Sequence, residues 1–143
     1  MAVIVSDTSP IRTLCHLGQI DWLQSLFSEV LIPPAVVSEL EHPASRLAPI
    51  LASAISHLKV RAPISLDRVN ELLFSLDRGE AEAIALAEEL HADLILMDEL
   101  GGRETAERLG IAVTGTLGIL LRAKQQGLCQ EIRPLIDIDC SRN

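Results

Sequence analysis

Strand-like, largely apolar runs recur at residues 3–6, 29–32, 58–60, 94–97 and 111–113, and between them the apolar positions are spaced by threes and fours. Continuous runs mark strands buried on both faces. Their alternation with helical segments predicts an α/β fold, with a central parallel sheet of about five strands covered by helices on both faces. After the first run, Ser9 reads as an N-cap and Pro10 as the first helical residue; Pro33 and Pro34 do similar work after the second. Leu47, Ile50, Leu51, Ala54, Ile55 and Leu58 predict an amphipathic helix within 44–58. Leu66, Val69, Leu72, Leu73 and Leu76 predict another over 66–76. Helical patterns follow in GEAEAIALAEELH, GRETAERLG and LGILLRAKQQG. With no internal repeat, low-complexity tract or linker, residues 1–143 read as one domain.

Composition narrows the core and the compartment. Hydrophobic residues make up 48% of the chain but aromatics only 2%, so Leu, Ile, Val and Ala must fill the interior. No apolar stretch approaches the roughly 20 residues needed to span a bilayer, and no basic segment precedes the first apolar run. A soluble, cytoplasmic protein is expected. Cys15, Cys129 and Cys140 lack the paired spacing that clamps zinc, and His16, His42, His57 and His91 are scattered, as surface or helix-end residues are. A net charge of −8 argues against binding nucleic acid through a general basic surface. It leaves open the use of acids to hold a metal.

Most acids fall where solvated helix faces want them, but two stand at predicted strand ends: Asp7 after Val3-Ile4-Val5, and Asp98 after Leu94-Ile95-Leu96-Met97. Ligands of open α/β sheets bind beyond the carboxyl ends of the strands. Glu39 lies in the helix after the second strand, and Glu80 starts the helix that feeds the fourth. Four carboxylates gathered at one edge repel one another unless a cation sits among them, and an oxygen-preferring divalent ion, Mg²⁺ or Mn²⁺, suits them. Asp7 taken alone has a less favoured alternative reading as a turn or capping acid. Thr8 and Ser9 read either as capping residues or as supports that hold Asp7 in place.

Between Glu80 and Glu82 the helical wheel favours Glu80. At about 100° per residue, Ile84 and Ala87 lie within roughly 40° of Glu80, which puts it on the sheet-facing side. Glu82 falls nearer Glu89, so it is expected to be mainly solvated, although Leu86 shares its side.

The stretches VSDTSPI, LDRGEAEAIALA and LILMDELGGRETAERLGIAVTGTLGILLRAKQQGL together resemble the PIN-domain ribonuclease superfamily, within it a prokaryotic subfamily of unknown function related to the VapC-like toxins. The likeness runs from about residue 4 to about residue 136. It implies a three-layer α/β/α PIN-like fold and a pocket of acids binding Mg²⁺ or Mn²⁺. It further implies hydrolysis of phosphodiesters in single-stranded RNA, a small antitoxin protein as partner in a toxin–antitoxin pair, and a homodimer. Carried over by position, the catalytic and metal-binding residues would be Asp7, Glu39, Glu80 and Asp98, with Glu99 and Glu82 as neighbours. Arg103 either approaches a phosphate or pairs with an acid. Arg12 departs from the pattern, which calls for an apolar or small polar residue there.

The rivals are weaker on the residues. A haloacid-dehalogenase-type phosphatase needs an acid two residues after Asp7, where Ser9 stands; a receiver domain needs paired acids at the first strand end and a Lys at the fifth; a nucleotide-binding module needs a glycine-rich first turn. A PIN-like module that binds protein or RNA without cleavage remains as the non-enzymatic alternative.

Overall fold

The computed structural model describes residues 2–47 and 57–129. The five apolar runs form β1 (Ile4–Ser6), β2 (Val30–Ile32), β3 (Leu58–Val60), β4 (Leu94–Leu96) and β5 (Val113–Thr114). All pair in parallel, in the order β3-β2-β1-β4-β5. Between and after them run α1 (Thr8–His16), α2 (Trp22–Phe27), α3 (Pro34–Glu41), a 3-10 turn (Pro43–Ser45), α4 (Leu66–Leu72), α5 (Arg78–Leu90), α6 (Leu100–Arg108) and α7 (Thr116–Gln125). The helix expected within 44–58 falls mostly outside the described residues.

Strand side chains alternate between faces, and the two halves of the core follow that alternation. Ile4, Val30, Ile32, Leu94 and Leu96 pack with residues of α1, α2, α3 and α7. Val5, Ile95 and Met97 pack on the other face with α4, α5 and α6. The result is three layers, helices on sheet on helices, as expected. The strand order reverses between β1 and β4, since chain leaving β1 moves toward β2 while chain leaving β4 moves toward β5. A crevice opens at the carboxyl ends of strands where such a reversal occurs.

Local differences from the expectation have identifiable causes. The first helix begins at Thr8, with Asp7 rather than Ser9 in the flanking position. Pro10 is tolerated there because amides of the first turn need no intrahelical partner. Ile111 is buried but precedes β5, which is only two residues long. His57 is buried just before β3, not at the surface, and neither ring nitrogen has a hydrogen-bond partner.

The largest difference is α5. Every residue from Gly79 to Ala87 is buried, because the helix contacts α3, α4, α6, β1 and β4 at once. A helix enclosed this way has no solvent face for Glu82. That side chain is buried; it accepts a hydrogen bond from the Ala35 amide at 3.0 Å and lies 3.2 Å from Arg78. It thereby serves an otherwise unpaired amide in the first turn of α3 and sets a negative charge at that helix's positive end. Glu89, its expected solvated companion, accepts from the amides of Ile64 and Ser65 at 2.9 and 2.8 Å. Glu82 and Glu89 thus strap α5 to its neighbours.

Two stability measurements check this account. Ile95→Ala, which empties a fully buried position on β4, is expected to lower the unfolding free energy in urea by about 3–4 kcal/mol, whereas Leu66→Ala, at an exposed position, changes it little. Glu82→Ala is expected to cost about 1–2 kcal/mol by orphaning the Ala35 amide, and Glu82→Gln less, since the amide oxygen still accepts.

Candidate active site at the carboxyl edge of β1 and β4

Asp7 follows β1 directly, and its own amide continues the ladder by donating to the Leu96 carbonyl at 2.9 Å. Alternation carries its side chain to the face of Val5, against which α5 packs. It is 5% exposed, and although it occupies the N-cap position of α1 its side chain makes no capping hydrogen bond. The capping reading therefore does not account for it.

Glu80 comes to the same place from α5. Its amide donates to Asp77 Oδ1 at 2.8 Å while its Oε1 accepts from the Asp77 amide at 3.2 Å, a reciprocal box that fixes the start of the helix. Its Oε2 is buried with no hydrogen-bond partner. Glu39 reaches in from α3. A Cβ at Gly79 would stand 2.6 Å from Glu39 Oε1 and 3.3 Å from Asp7 Oδ1, so only glycine lets the two carboxylates approach the α5 backbone so closely. A Cβ at Gly102 would likewise collide with Met97 Sδ and stand 2.9 Å from Glu80 Oε2.

Asp7, Glu39, Glu80, Asp77 and Glu99 thus line one cleft of about 340 Å³, together with Thr8 and Ser9. Asp77 was missed in the sequence, although Asp77-x-x-Glu80 is a legible capping-box spacing. Thr8 Oγ1 is buried without a partner, as Glu80 Oε2 is.

Asp98 is placed differently. Continuing the β4 alternation sends it to the face of Leu94 and Leu96, toward α7. There Thr116 holds it, with the amide donating to Oδ1 and the hydroxyl to Oδ2, each at 2.6 Å. It is exposed and does not line the cleft, yet its charge is felt by Asp7. Arg103 Nη1 lies beside Asp98 Oδ1 at Gly115, and Arg103 forms no ion pair among the described residues.

The electrostatics follow from burial and crowding. The Asp7 carboxyl is raised from 3.8 to about 6, chiefly by loss of solvent, with the neighbouring Thr8 amide drawing it partly back and the charges of Asp77, Glu39 and Asp98 pushing it up. Burial, with Asp77 and Asp7 nearby, raises Glu80 to about 7. Among the described residues no three His, Cys, Asp or Glu side chains converge closely enough to hold an ion as they stand. The donors nonetheless suit a hard divalent cation in kind: they are all oxygens, two are buried and unpartnered, and the carboxylates repel one another in the cation's absence.

A family model described as a PIN domain matches residues 3–138. The chain belongs to the PIN-domain family. PIN domains are generally nucleases and typically use divalent metals. Among solved structures, this PIN domain is similar to PAE2754 of Pyrobaculum aerophilum, at a TM-score of 0.64 and 18% identity over 85% of this chain and 97% of that one. It is also similar to SSO1118, a PilT N-terminus domain protein of the hyperthermophilic archaeon Sulfolobus solfataricus P2. There the TM-score is 0.57 and the identity 18%, over 86% of this chain and 93% of that one. At such identity the likeness is one of fold. Among curated proteins none matches this PIN domain in sequence. No helix among the described residues is long and apolar enough to cross a membrane.

The Asp7 shift has a signed consequence for the metal-free protein. Below pH 3.8 the carboxyl is protonated whether folded or unfolded; above about pH 6 it is ionised in both states, and the fold bears the full penalty. Asp7→Asn in chelator is therefore expected to stabilise the fold by about 2–3 kcal/mol at pH 8, with the gain shrinking as pH falls through 6 and absent below 4. Denaturant midpoints across that range check it.

Proposed function

We propose that the protein is a Mg²⁺- or Mn²⁺-dependent endoribonuclease acting on single-stranded RNA. The observation that carries this reading is the acid-lined cleft at the strand-order reversal, where Asp7 is buried among Glu39, Glu80 and Asp77 with no cationic side chain lining the cleft. Membership of a generally nucleolytic family supports it.

Asp7, Glu39 and Glu80 would hold the ion from inside the cleft, and Asp98, outside the cleft lining and bound by Thr116, would add its charge from nearby. When bound, the ion supplies Lewis acidity toward the phosphate and a more nucleophilic water. The chain's own residues set the stage for in-line hydrolysis. The Asp77–Glu80 box fixes one acid by its backbone, Thr116 fixes Asp98 with two hydrogen bonds, and Arg103 stands beside Asp98 with donors available for a phosphate oxygen. A single strand bends its backbone into such a cleft more readily than a duplex does.

For partners, the same reading takes the protein as the toxin of a toxin–antitoxin pair, bound by a small antitoxin, and as a homodimer. Leu117 and Leu121, one turn apart and exposed on α7, offer an apolar face for self-pairing. Size-exclusion with light scattering on the pure protein is expected to give a dimer; a strict monomer at high concentration counts against it.

Cleavage assays test the chemistry. Asp7→Asn and Asp98→Asn are each expected to reduce Mn²⁺-dependent cleavage of single-stranded RNA at least about a hundredfold, the scale of losing a key electrostatic group, with circular dichroism unchanged. Glu80→Gln should behave likewise, whereas Glu82→Gln should retain most activity because its carboxylate serves α3. Full activity in Asp7→Asn, or RNA binding by the wild type with no cleavage under any divalent ion, would leave the non-cleaving binding module as the better reading.

A further inference from the structure

A second and larger concavity, about 940 Å³, adjoins the acid cleft, and Glu39 lines both. Its polar lining is otherwise of opposite character: Arg12 and His16 from α1, His42 at the end of α3, and Arg46 after the 3-10 turn. We propose that this groove carries the single-stranded RNA segment next to the scissile phosphate, with Arg12 and Arg46 contacting its backbone. The assignment rests on the nuclease reading above and extends it to how the substrate is held.

Three observations converge. The first is charge placement. In a chain of net charge −8, a polyanion gains little from long-range attraction, so its binding must come from a local basic track. Two guanidinium groups face one carboxylate in this groove, whereas carboxylates alone supply the charge lining the neighbouring cleft.

The second is availability. Arg68 bonds to Glu71 and Glu88, and Arg78 to Glu82. Arg12 and Arg46 take part in no ion pair among the described residues, although the chain holds 20 acids. An arginine without a carboxylate partner presents its full fork of donors, which matches phosphate oxygens. Arg46 is held at a φ of 57°, in the left-handed region that L-residues rarely adopt.

The third is continuity. Ser9 lines the cleft, and Arg12 and His16 follow it at i+3 and i+7 on the same side of α1. That side spans about 10 Å of helix, so a strand leaving the acids along α1 meets Arg12 and then reaches Arg46 across the groove. Arg12 is also the residue that departs from the sequence pattern expected after the first strand.

The test uses the full chain carrying Asp7→Asn, so that RNA is bound without being cut, and reads anisotropy of a labelled short oligouridylate against NaCl. Adding Arg12→Gln and Arg46→Gln is expected to weaken binding about tenfold near 0.1 M salt. It should also reduce the slope of log K against log salt by about 1.4, since each single-strand phosphate contact contributes about 0.7. Arg12→Lys with Arg46→Lys should keep most of the slope. Should the double Gln variant fail to fold, Arg46→Gln alone, at an exposed position, is expected to remove about half of that slope change.

Unchanged affinity and slope overturn the proposal. So does intact RNA binding by the Gln variant with loss of a copurifying protein, which would make the groove a protein site. Cleavage distinguishes the two readings. If wild type cuts RNA with Mn²⁺ and Arg12→Gln/Arg46→Gln cuts with the same kcat/KM, the groove assignment fails and the nuclease stands. If wild type never cuts but binding depends on both arginines, the nuclease reading fails and the groove stands.

Discussion

A carboxylate moved out of water needs compensation, and Asp7 is where this protein concentrates that need. It ends the central strand of the sheet, it is 5% exposed, and its neighbours Glu39, Asp77 and Asp98 add charge of the same sign. Much of the surrounding architecture holds this arrangement in place. The parallel pairing of β1 with β4 sets its depth, the enclosed helix α5 brings Glu80 beside it, and Gly79 leaves room for Glu39 to close the third side. The metal-free fold bears the cost of keeping this carboxylate buried among like charges.

Acids of one helix divide into two roles according to whether their oxygens find donors. Glu82, Glu88 and Glu89 meet amides or arginines of α3 and α4 and the segment before α4, so they tie α5 to its surroundings. Glu80 meets a donor at one oxygen only, and the other is buried without a partner. The distinction between strap and candidate ligand is therefore one of satisfied hydrogen-bonding capacity, not of burial, since Glu80 and Glu82 are both buried.

The charge pattern has the same local character. A net charge of −8 describes the molecule from afar, but over the length of α1 the lining passes from acids to arginine and histidine. The acid-lined cleft and the groove holding Arg12 and Arg46 meet at Glu39, which lines both, so opposite local charges stand side by side on a molecule that is acidic as a whole.

Short-range rules made much of this legible from the residues. The apolar runs located the strands because the central strands of a parallel sheet covered on both faces carry continuous apolar side chains; at the edges the pattern is weaker, with Lys59 and Val60 exposed on β3 and β5 only two residues long. Asp7 stood out because a charge directly after such a run lands at a sheet edge. Asp77 was equally legible as a capping-box partner of Glu80, a spacing within one turn of helix. Other features depended on contacts between distant segments. Glu82 is a strap because α5 is enclosed by elements far away in sequence, and a helical wheel assumes one buried face. Asp98 turns from the cleft because strand alternation directs it to α7, where Thr116, 18 residues on, holds it. The groove joins α1 to residues after α3 through the folding of the chain between them. By itself the sequence determined the layer order and the acids at strand ends, since both follow from local periodicity; only the tertiary structure decided which of those acids share a cleft, because that depends on which faces the crossovers bring together.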